Sequence, residues 1–354
     1  MKILGIETSC DETAAAVVED GSKILANIVA SSLPLHTKSG GIIPEVAARE
    51  QVKAIIPVVE ECLSQTASRL SIGGTHASIR KIDAIAVTIG PGLIGSLLVG
   101  VEAAKALAYV WKKPVIPVNH LLAHLYSPWL ENPQPPKFPL IALVVSGGHT
   151  ELFFVPNHGR WQHLGGTRDD AAGEAFDKTA RLLNLGYPGG PAIEQIAYSG
   201  NWTKFYLPRP LIDSPDFDFS FSGLKTAVVN LVDRLAVGIK NPKYHNKRKI
   251  PNNNSPNPMV ADLASSIQEA VVDVLVSKAI KAANKFNVEN IVLGGGVAAN
   301  KRLREEMASR FRGTVYFSSP NLAIDNAAMV AAAAFFNYQP VSWRKVSAEA
   351  GILI

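Results

Sequence analysis

At 354 residues the chain is long enough to bury a substantial core, and two domains are the default expectation. A composition of 47% apolar and 18% charged residues is that of a globular protein, and its longest apolar runs, such as Met329 to Phe336, are too short to span a bilayer. Two cysteines, Cys10 and Cys62, exclude a disulfide framework and a cysteine-based zinc site, while a net charge of +5 permits a nucleic-acid partner without requiring one.

Lys2 to Thr8 reads as a buried strand, with no signal or transit segment ahead of it. With two thiols and no leader, the expected home is a reducing cytoplasm. Ser9 to Thr13 is a polar turn, and Ala14–Glu19 and Lys23–Ala30 complete a three-strand meander. Gly40 to Glu45 is a loop that feeds a helix from about Val46 to Ser68, and the Gly/Ser/Thr-rich stretch to Ala77 reads as exposed. Ile82 to Ile89 is a strand broken by Gly90-Pro91-Gly92, Leu93 to Lys112 a long helix, and Val115 to Val118 a strand. A short helix carrying His120 and His124 follows, then a linker from Pro128 to Pro139 with five prolines.

A second meander begins at Leu140: strands Leu140–Val145 and Glu151–Pro156 around the turn Ser146 to Thr150, with Trp161–Gly165 as the third. Asp169 to Leu183 is a helix opened by two acids, which suit a helix N-terminus. A loop at Tyr187–Pro191, a helix near Ala192–Tyr198 and a helix from Phe219–Gly223 to about Leu235 follow. Residues 240–258, rich in Asn, Pro and Lys, read as a basic flexible insertion. Met259–Phe286 is a long helix, Val288–Leu293 a strand, Gly294-Gly295-Gly296 a loop, Val297–Arg310 a helix, Val315–Phe317 a strand and Asp325–Asn337 the last helix.

The same order of parts therefore occurs twice, and a domain-sized repeat implies two similar α/β lobes with a cleft between them. The expected division is 1–125 completed by 326–354 for lobe I, and 126–325 for lobe II. His120 and His124, four apart on a helix, project from one face where one metal ion can be held; they equally suit an ordinary amphipathic helix. Pseudo-symmetry brings the start of the last helix toward them across the cleft and nominates Asp325 as a third ligand, although a plain N-cap leaves the same trace. Leu121 follows His120, so the HExxH pattern of metallopeptidases, with its built-in glutamate base, is absent.

The glycine turns at Ser146-Gly147-Gly148 and Gly294-Gly295-Gly296 are candidate anion cradles, and neither fits a P-loop or a dinucleotide fingerprint. Asp177 on its helix and Asn300 after the second glycine loop are candidate ligand contacts, or a solvated acid and a first-turn residue. Asp11 and Glu12 in the first turn could steer a nucleophile, although acids are common in turns.

Taken together, Gly5 to Thr13, Gly90 to Leu93, the His120/His124 pair, Val145 to Thr150, Asp170 to Lys178, Phe219 to Thr226 and Gly295 to Asn300 resemble the bacterial tRNA adenosine threonylcarbamoyltransferase family. These motifs run from residue 5 to about residue 330, so the resemblance covers nearly the whole chain. It implies the two-lobed fold of the actin and sugar-kinase superfamily. It implies transfer of threonylcarbamoyl from threonylcarbamoyl-AMP to the exocyclic amine of the adenosine beside the anticodon, in tRNAs reading codons that begin with A. By motif match, His120, His124 and Asp325 hold a divalent metal, usually Fe2+, with Zn2+ or Mg2+ as alternatives. Val144, Val145, Ser146, Gly147, Gly148, Asp177, Gly190 and Asn300 contact the adenylate, as does Glu194 where the family often has Asp; Asp11 and Glu12 match acidic positions that matter for activity. Gln51 stands where the family often has His. The partners so implied are tRNA, a paralogous subunit of the same fold and an ATPase subunit, with no membrane. The competing readings are an ATP-dependent small-molecule kinase of the same superfamily and a non-catalytic nucleotide-binding scaffold.

Overall fold

The computed structural model of the protein describes residues 1–238 and 258–352. The basic insertion expected at 240–258 therefore lies, but for its last residue, outside the described residues.

The strand order of one five-stranded sheet is repeated in the other. β1 (Lys2–Glu7), β2 (Glu12–Glu19) and β3 (Lys23–Ser31) form an antiparallel meander, and β4 (Ala84–Gly90) and β5 (Val115–Asn119) add in parallel beside β1, giving the order β3-β2-β1-β4-β5. In the second sheet β6 (Leu140–Val145), β7 (Thr150–Asn157) and β8 (Arg160–Gly166) repeat the meander, and β9 (Asn290–Gly294) and β10 (Thr314–Phe317) repeat the addition, giving β10-β9-β6-β7-β8. The first strand of each meander is central and covered on both faces, which is why Leu140–Val145 reads as an unbroken apolar run with every residue buried. The duplication read from the order of parts is thus a duplication of topology.

The chain divides into two compact units: 1–137 with 157–160 and 316–354, and 138–156 with 161–315. In the first unit lie α1 (Leu33–Ser39), α2 (Pro44–Arg69), α3 (Thr75–Lys81), α4 (Ile94–Trp111) and α5 (His120–Tyr126). In the second lie α6 (Ala172–Leu182), α7 (Gly189–Ala197), α8 (Ser222–Gly238), α9 (Pro258–Phe286) and α10 (Lys301–Arg310). The chain then returns to the first unit with α11 (Pro320–Ala323) and α12 (Ala327–Phe336). Each unit has its own core: Leu4, Ile6, Val17, Val59, Ile85 and Val101 in the first, and Leu143, Phe176, Phe219, Ile267, Leu275 and Leu293 in the second.

Helices α1 and α3 lie in stretches to which the sequence reading assigned no element. Each is only seven residues long, too short for an apolar period to show. Among the described residues, α4 is long and apolar enough to cross a membrane by length and composition, yet its Leu97, Val101, Ala104 and Ala108 are buried and it packs on α2 and β4. Helix α12 is seated directly on the first sheet. A β-carbon at Gly5 of β1 would lie 2.3 Å from the carbonyl oxygen of Ala327 and 3.0 Å from the amide nitrogen of Ala331. The glycine on the strand and the alanines on the helix allow this backbone-to-backbone approach.

Candidate metal centre and nucleotide cradle

The candidate metal centre begins at a strand end. β5 stops at Asn119, whose side-chain oxygen accepts from the amides of Leu121 at 2.9 Å and Leu122 at 3.4 Å. This cap satisfies two of the free donors of a new helix and turns the chain abruptly from strand to helix. His120 is consequently the first residue of α5, and His124 lies one turn later on the same side. Their rings meet edge to face with centroids 4.6 Å apart. His120 is 5% exposed and His124 is fully buried.

Asp325 completes the group. Its Oδ1 lies 3.6 Å from His120 Nε2 and 3.0 Å from His124 Nε2, and the three ligand atoms fall within 4.8 Å of one another. The last helix starts at Ala327, and Asn326 is its cap, accepting from the amide of Met329 at 3.1 Å. The neighbouring asparagine thus performs the capping that the sequence left open for Asp325. The sequence reading also carried Asp325 in lobe II, reaching the histidines across a cleft. Contacts place it in the first unit with them, because α12 packs on β1, β2 and α5.

The surroundings suit a cation. Neither ring nitrogen of the buried His124 makes a hydrogen bond, since the approach of its Nε2 to Asp325 is not aligned as one. An imidazole left without partners costs stability unless something else binds it. Burial opposes charge on His120, but Glu7 and Asp325 more than offset this and raise its pKa to about 9. Burial, followed by repulsion from Asp325 and Asp11, pushes the Glu12 carboxyl up to about 10. Burial and the charges of Asp11, Asp325 and Glu12 likewise push the Cys10 thiol far up. Crowded acids beside a donor set of two imidazoles and a carboxylate fit a divalent transition-metal ion.

The acidic turn is itself held in place. Ser32 donates to the carbonyl of Asp11 through both its amide and its hydroxyl, each at 3.0 Å, and Ser31 Oγ donates to Glu12 Oε1 at 3.0 Å. From α2, the fully buried Gln51 aims Nε2 at the carbonyls of Cys10 and Glu12, both at 3.0 Å, and of Thr8 at 3.4 Å. Gln51→Leu should therefore lower stability by about 2 kcal/mol by stripping buried carbonyls of their donor. Gln51→His, which keeps a ring donor, should lose less; equal thermal unfolding midpoints for the two variants would refute this account.

The nucleotide candidates lie in the second unit. The turn from β6 to β7 is closed by Ser146, whose amide donates to the His149 carbonyl at 2.9 Å and whose hydroxyl accepts from the His149 amide at 3.2 Å. Gly147 and Gly148 are exposed at its tip, and a β-carbon on either meets nothing within 4 Å. Gly173 of α6 is packed under this turn, where a β-carbon would lie 2.5 Å from the Ser146 carbonyl oxygen. On the other side Gly295, at φ +87°, would bring one 2.4 Å from the carbonyl oxygen of Val145. Val144 and Val145 are buried in β6.

The remaining candidates are tied into this framework. Asp177 Oδ1 accepts from the Gly189 amide at 2.6 Å, joining α6 to α7, and burial pushes its pKa up. Glu194 Oε1 accepts from the Lys301 amide at 2.6 Å. Asn300 caps α10 through the Leu303 amide at 3.0 Å and donates to Gln268 Oε1 at 2.9 Å. A β-carbon on Gly190 or Gly296 meets nothing within 4 Å. The helix expected from Val297 begins only at Lys301, after a single 3-10 turn over Gly296–Ala299. Asp169, expected to open α6, instead accepts from the amides of Phe221 and Ser222 at the start of α8.

Comparison with known proteins gives the family. The family model for tRNA N6-adenosine threonylcarbamoyltransferase matches residues 23–332. This chain belongs to that family. The threonylcarbamoyltransferase of Thermomicrobium roseum is 49% identical over 349 residues, covering 95% of this chain and 92% of the relative. That of Symbiobacterium thermophilum is 50% identical over 337 residues, covering 94% and 91%. Among solved structures, the activator of the 2-hydroxyisocaproyl-CoA dehydratase from Clostridium difficile, with bound ADPNP, aligns with a TM-score of 0.51 at 13% identity over 95% of this chain and 94% of that one. HypF from T. kodakarensis aligns with a TM-score of 0.54 at 18% identity over 95% of this chain and 47% of that one. These likenesses bear on the fold alone, which here is two α/β units each built on a five-stranded sheet.

Within the threonylcarbamoyltransferase family this chain is a transferase, and neither the kinase nor the scaffold reading is favoured. The sequence reading overlooked Glu7, which lies inside a quoted motif but was given no role. Its one signal is an acid amid the apolar residues of a buried strand: Glu7 is fully buried at the end of β1.

Proposed function

We propose that the chain transfers the threonylcarbamoyl group of threonylcarbamoyl-AMP to the exocyclic amine of the adenosine beside the anticodon, in tRNAs reading codons that begin with A. The amine nitrogen forms a bond to the carbamoyl carbon and gives up one of its protons to solvent, the bond from that carbon to the phosphate oxygen breaks, and AMP leaves. Membership of the family supports the activity, and the His120/His124/Asp325 group is the single structural observation that carries it.

His120, His124 and Asp325 would hold one divalent ion, Fe2+ by preference over Zn2+ or Mg2+. When bound, that ion supplies Lewis-acid and templating power toward the carbamoyl group. The chain's own residues bind and orient. The open space over Gly147 and Gly148 would let a phosphate or carbonyl approach the backbone of this turn. Gly190, with Asp177 and Glu194 on either side of it, would receive the ribose and base, and Asn300 holds the start of α10 in place. Asp11 and Glu12 would act on the incoming amine from the turn that faces Asp325. A cytoplasmic place of action, a paralogous subunit of the same fold and an ATPase subunit complete the proposal.

The open glycines supply a direct test. A side chain at Gly148 has room in the protein, so Gly148→Val should leave the unfolding midpoint within a degree or two while filling the space meant for the adenylate. AMP affinity, measured by calorimetry, should fall at least about 10-fold, and transfer of labelled threonylcarbamoyl to tRNA should fall with it. Unchanged AMP affinity would remove this turn from the proposed site.

A further inference from the structure

The carboxyl group of Glu7 is fully buried in the first unit, and the proposed reaction does not use it. Its Oε1 accepts from the Ser9 amide at 2.6 Å. Its Oε2 accepts from Thr88 Oγ1 at 2.6 Å and lies 3.1 Å from His120 Nδ1, with Ser9 Oγ also 3.2 Å from that nitrogen. His120 turns its other nitrogen, Nε2, toward Asp325. We propose that Glu7 is a positioning residue: by accepting the Nδ1 proton of His120 it fixes the tautomer and ring plane that present Nε2 to the metal. The inference rests on the metal-centre reading given above.

The geometry leaves little freedom. Thr88 and the Ser9 amide are donors, so each oxygen of Glu7 is already an acceptor, and the imidazole N–H is the partner that suits Oε2. A ring proton on Nδ1 leaves Nε2 with a lone pair toward the cluster, the form in which imidazole binds a metal. A carboxylate behind a metal-bound histidine orients the ring and raises its basicity, and its loss typically lowers metal affinity about 10- to 100-fold. The backbone makes the arrangement durable. Glu7 ends β1, Thr88 lies on the adjacent parallel strand β4, and His120 follows directly on β5, beside β4.

Glutamine is the informative replacement because it has the same shape but only one acceptor oxygen. With its NH2 at the Oε1 position it faces the Ser9 N–H donor to donor. With its NH2 at the Oε2 position it donates to His120 Nδ1, which places the ring proton on Nε2 and blocks the ligand. Titration of the full chain with Co2+ reads both affinity and, through its visible spectrum, the ligand set. The expected result is one Co2+ per chain in the wild type and an affinity lower by about 10- to 100-fold in Glu7→Gln, with a spectrum changed from that of the wild type. A variant that loses thermal stability but binds Co2+ with wild-type affinity and spectrum would make Glu7 purely structural and overturn the proposal. A wild type that binds no Co2+ would overturn the metal-centre reading and this inference together, which distinguishes the two failures. If Glu7→Gln does not fold, nitrogen NMR of His120 in the Zn2+-loaded wild type decides: a proton on Nδ1 supports the proposal and a bare Nδ1 refutes it.

Discussion

Replacing His124 with alanine is expected to abolish stoichiometric metal binding and to lower threonylcarbamoyl transfer to tRNA by roughly three orders of magnitude, about 4 kcal/mol of transition-state stabilisation. Two ligands are not a site: the loss of one imidazole leaves His120 and Asp325, which cannot enclose an ion. The folding cost should be small by comparison. The removed ring fills buried space, but its nitrogens form no hydrogen bonds in the protein, so truncation relieves an unsatisfied polar group as it opens a cavity. Metal analysis and transfer are to be measured beside the unfolding midpoint of the metal-free proteins. Full transfer by a metal-free His124→Ala variant would sink the metal-centre reading, whereas a collapse of the midpoint alone would show that the ring is a packing element.

Gly5→Val should be the most damaging single substitution in the first unit outside the site. The new side chain would press on the backbone of α12, with the Ala327 carbonyl oxygen only 2.3 Å from its β-carbon, and backbone cannot rotate aside as a side chain can. Overpacking of this severity costs about 3 kcal/mol or more. The effect should reach the metal centre, because Asp325 sits two residues before α12 and is positioned by the seat of that helix on β1. A lowered unfolding midpoint accompanied by weaker Co2+ binding is the expected pair of results. A variant as stable as the wild type would refute the close packing of helix on strand. A destabilised variant with unchanged metal affinity would show that Asp325 is held by other contacts.

Much of this protein was legible in one dimension. The two meanders, the strand-then-glycine breaks and the paired histidines follow local rules: alternation, turn residues and the four-residue spacing of a helix face. Their repetition foretold two similar α/β lobes, and the two sheets share one strand order. Helices α1 and α3 were missed because seven residues give too few turns for a period to emerge. The helix starts were misplaced by one to four residues because capping depends on which side chain turns back to the backbone. Asp169 and Asp325 look like caps, yet the first caps a different helix and the second caps none.

The sequence by itself determined the elements, the duplication and the chemical types available, since each rests on contacts between near neighbours in the chain. Only the tertiary structure decided which of them share a site. It placed Asp325 beside His120 and His124 within one unit, because Gly5 and the alanines of α12 let that helix settle on β1. It released Asp325 from capping by assigning that work to Asn326. It brought Glu7 behind His120 across three adjacent strands, a pairing of residues 113 apart. Such contacts depend on register and packing over long separations, and no local pattern records them.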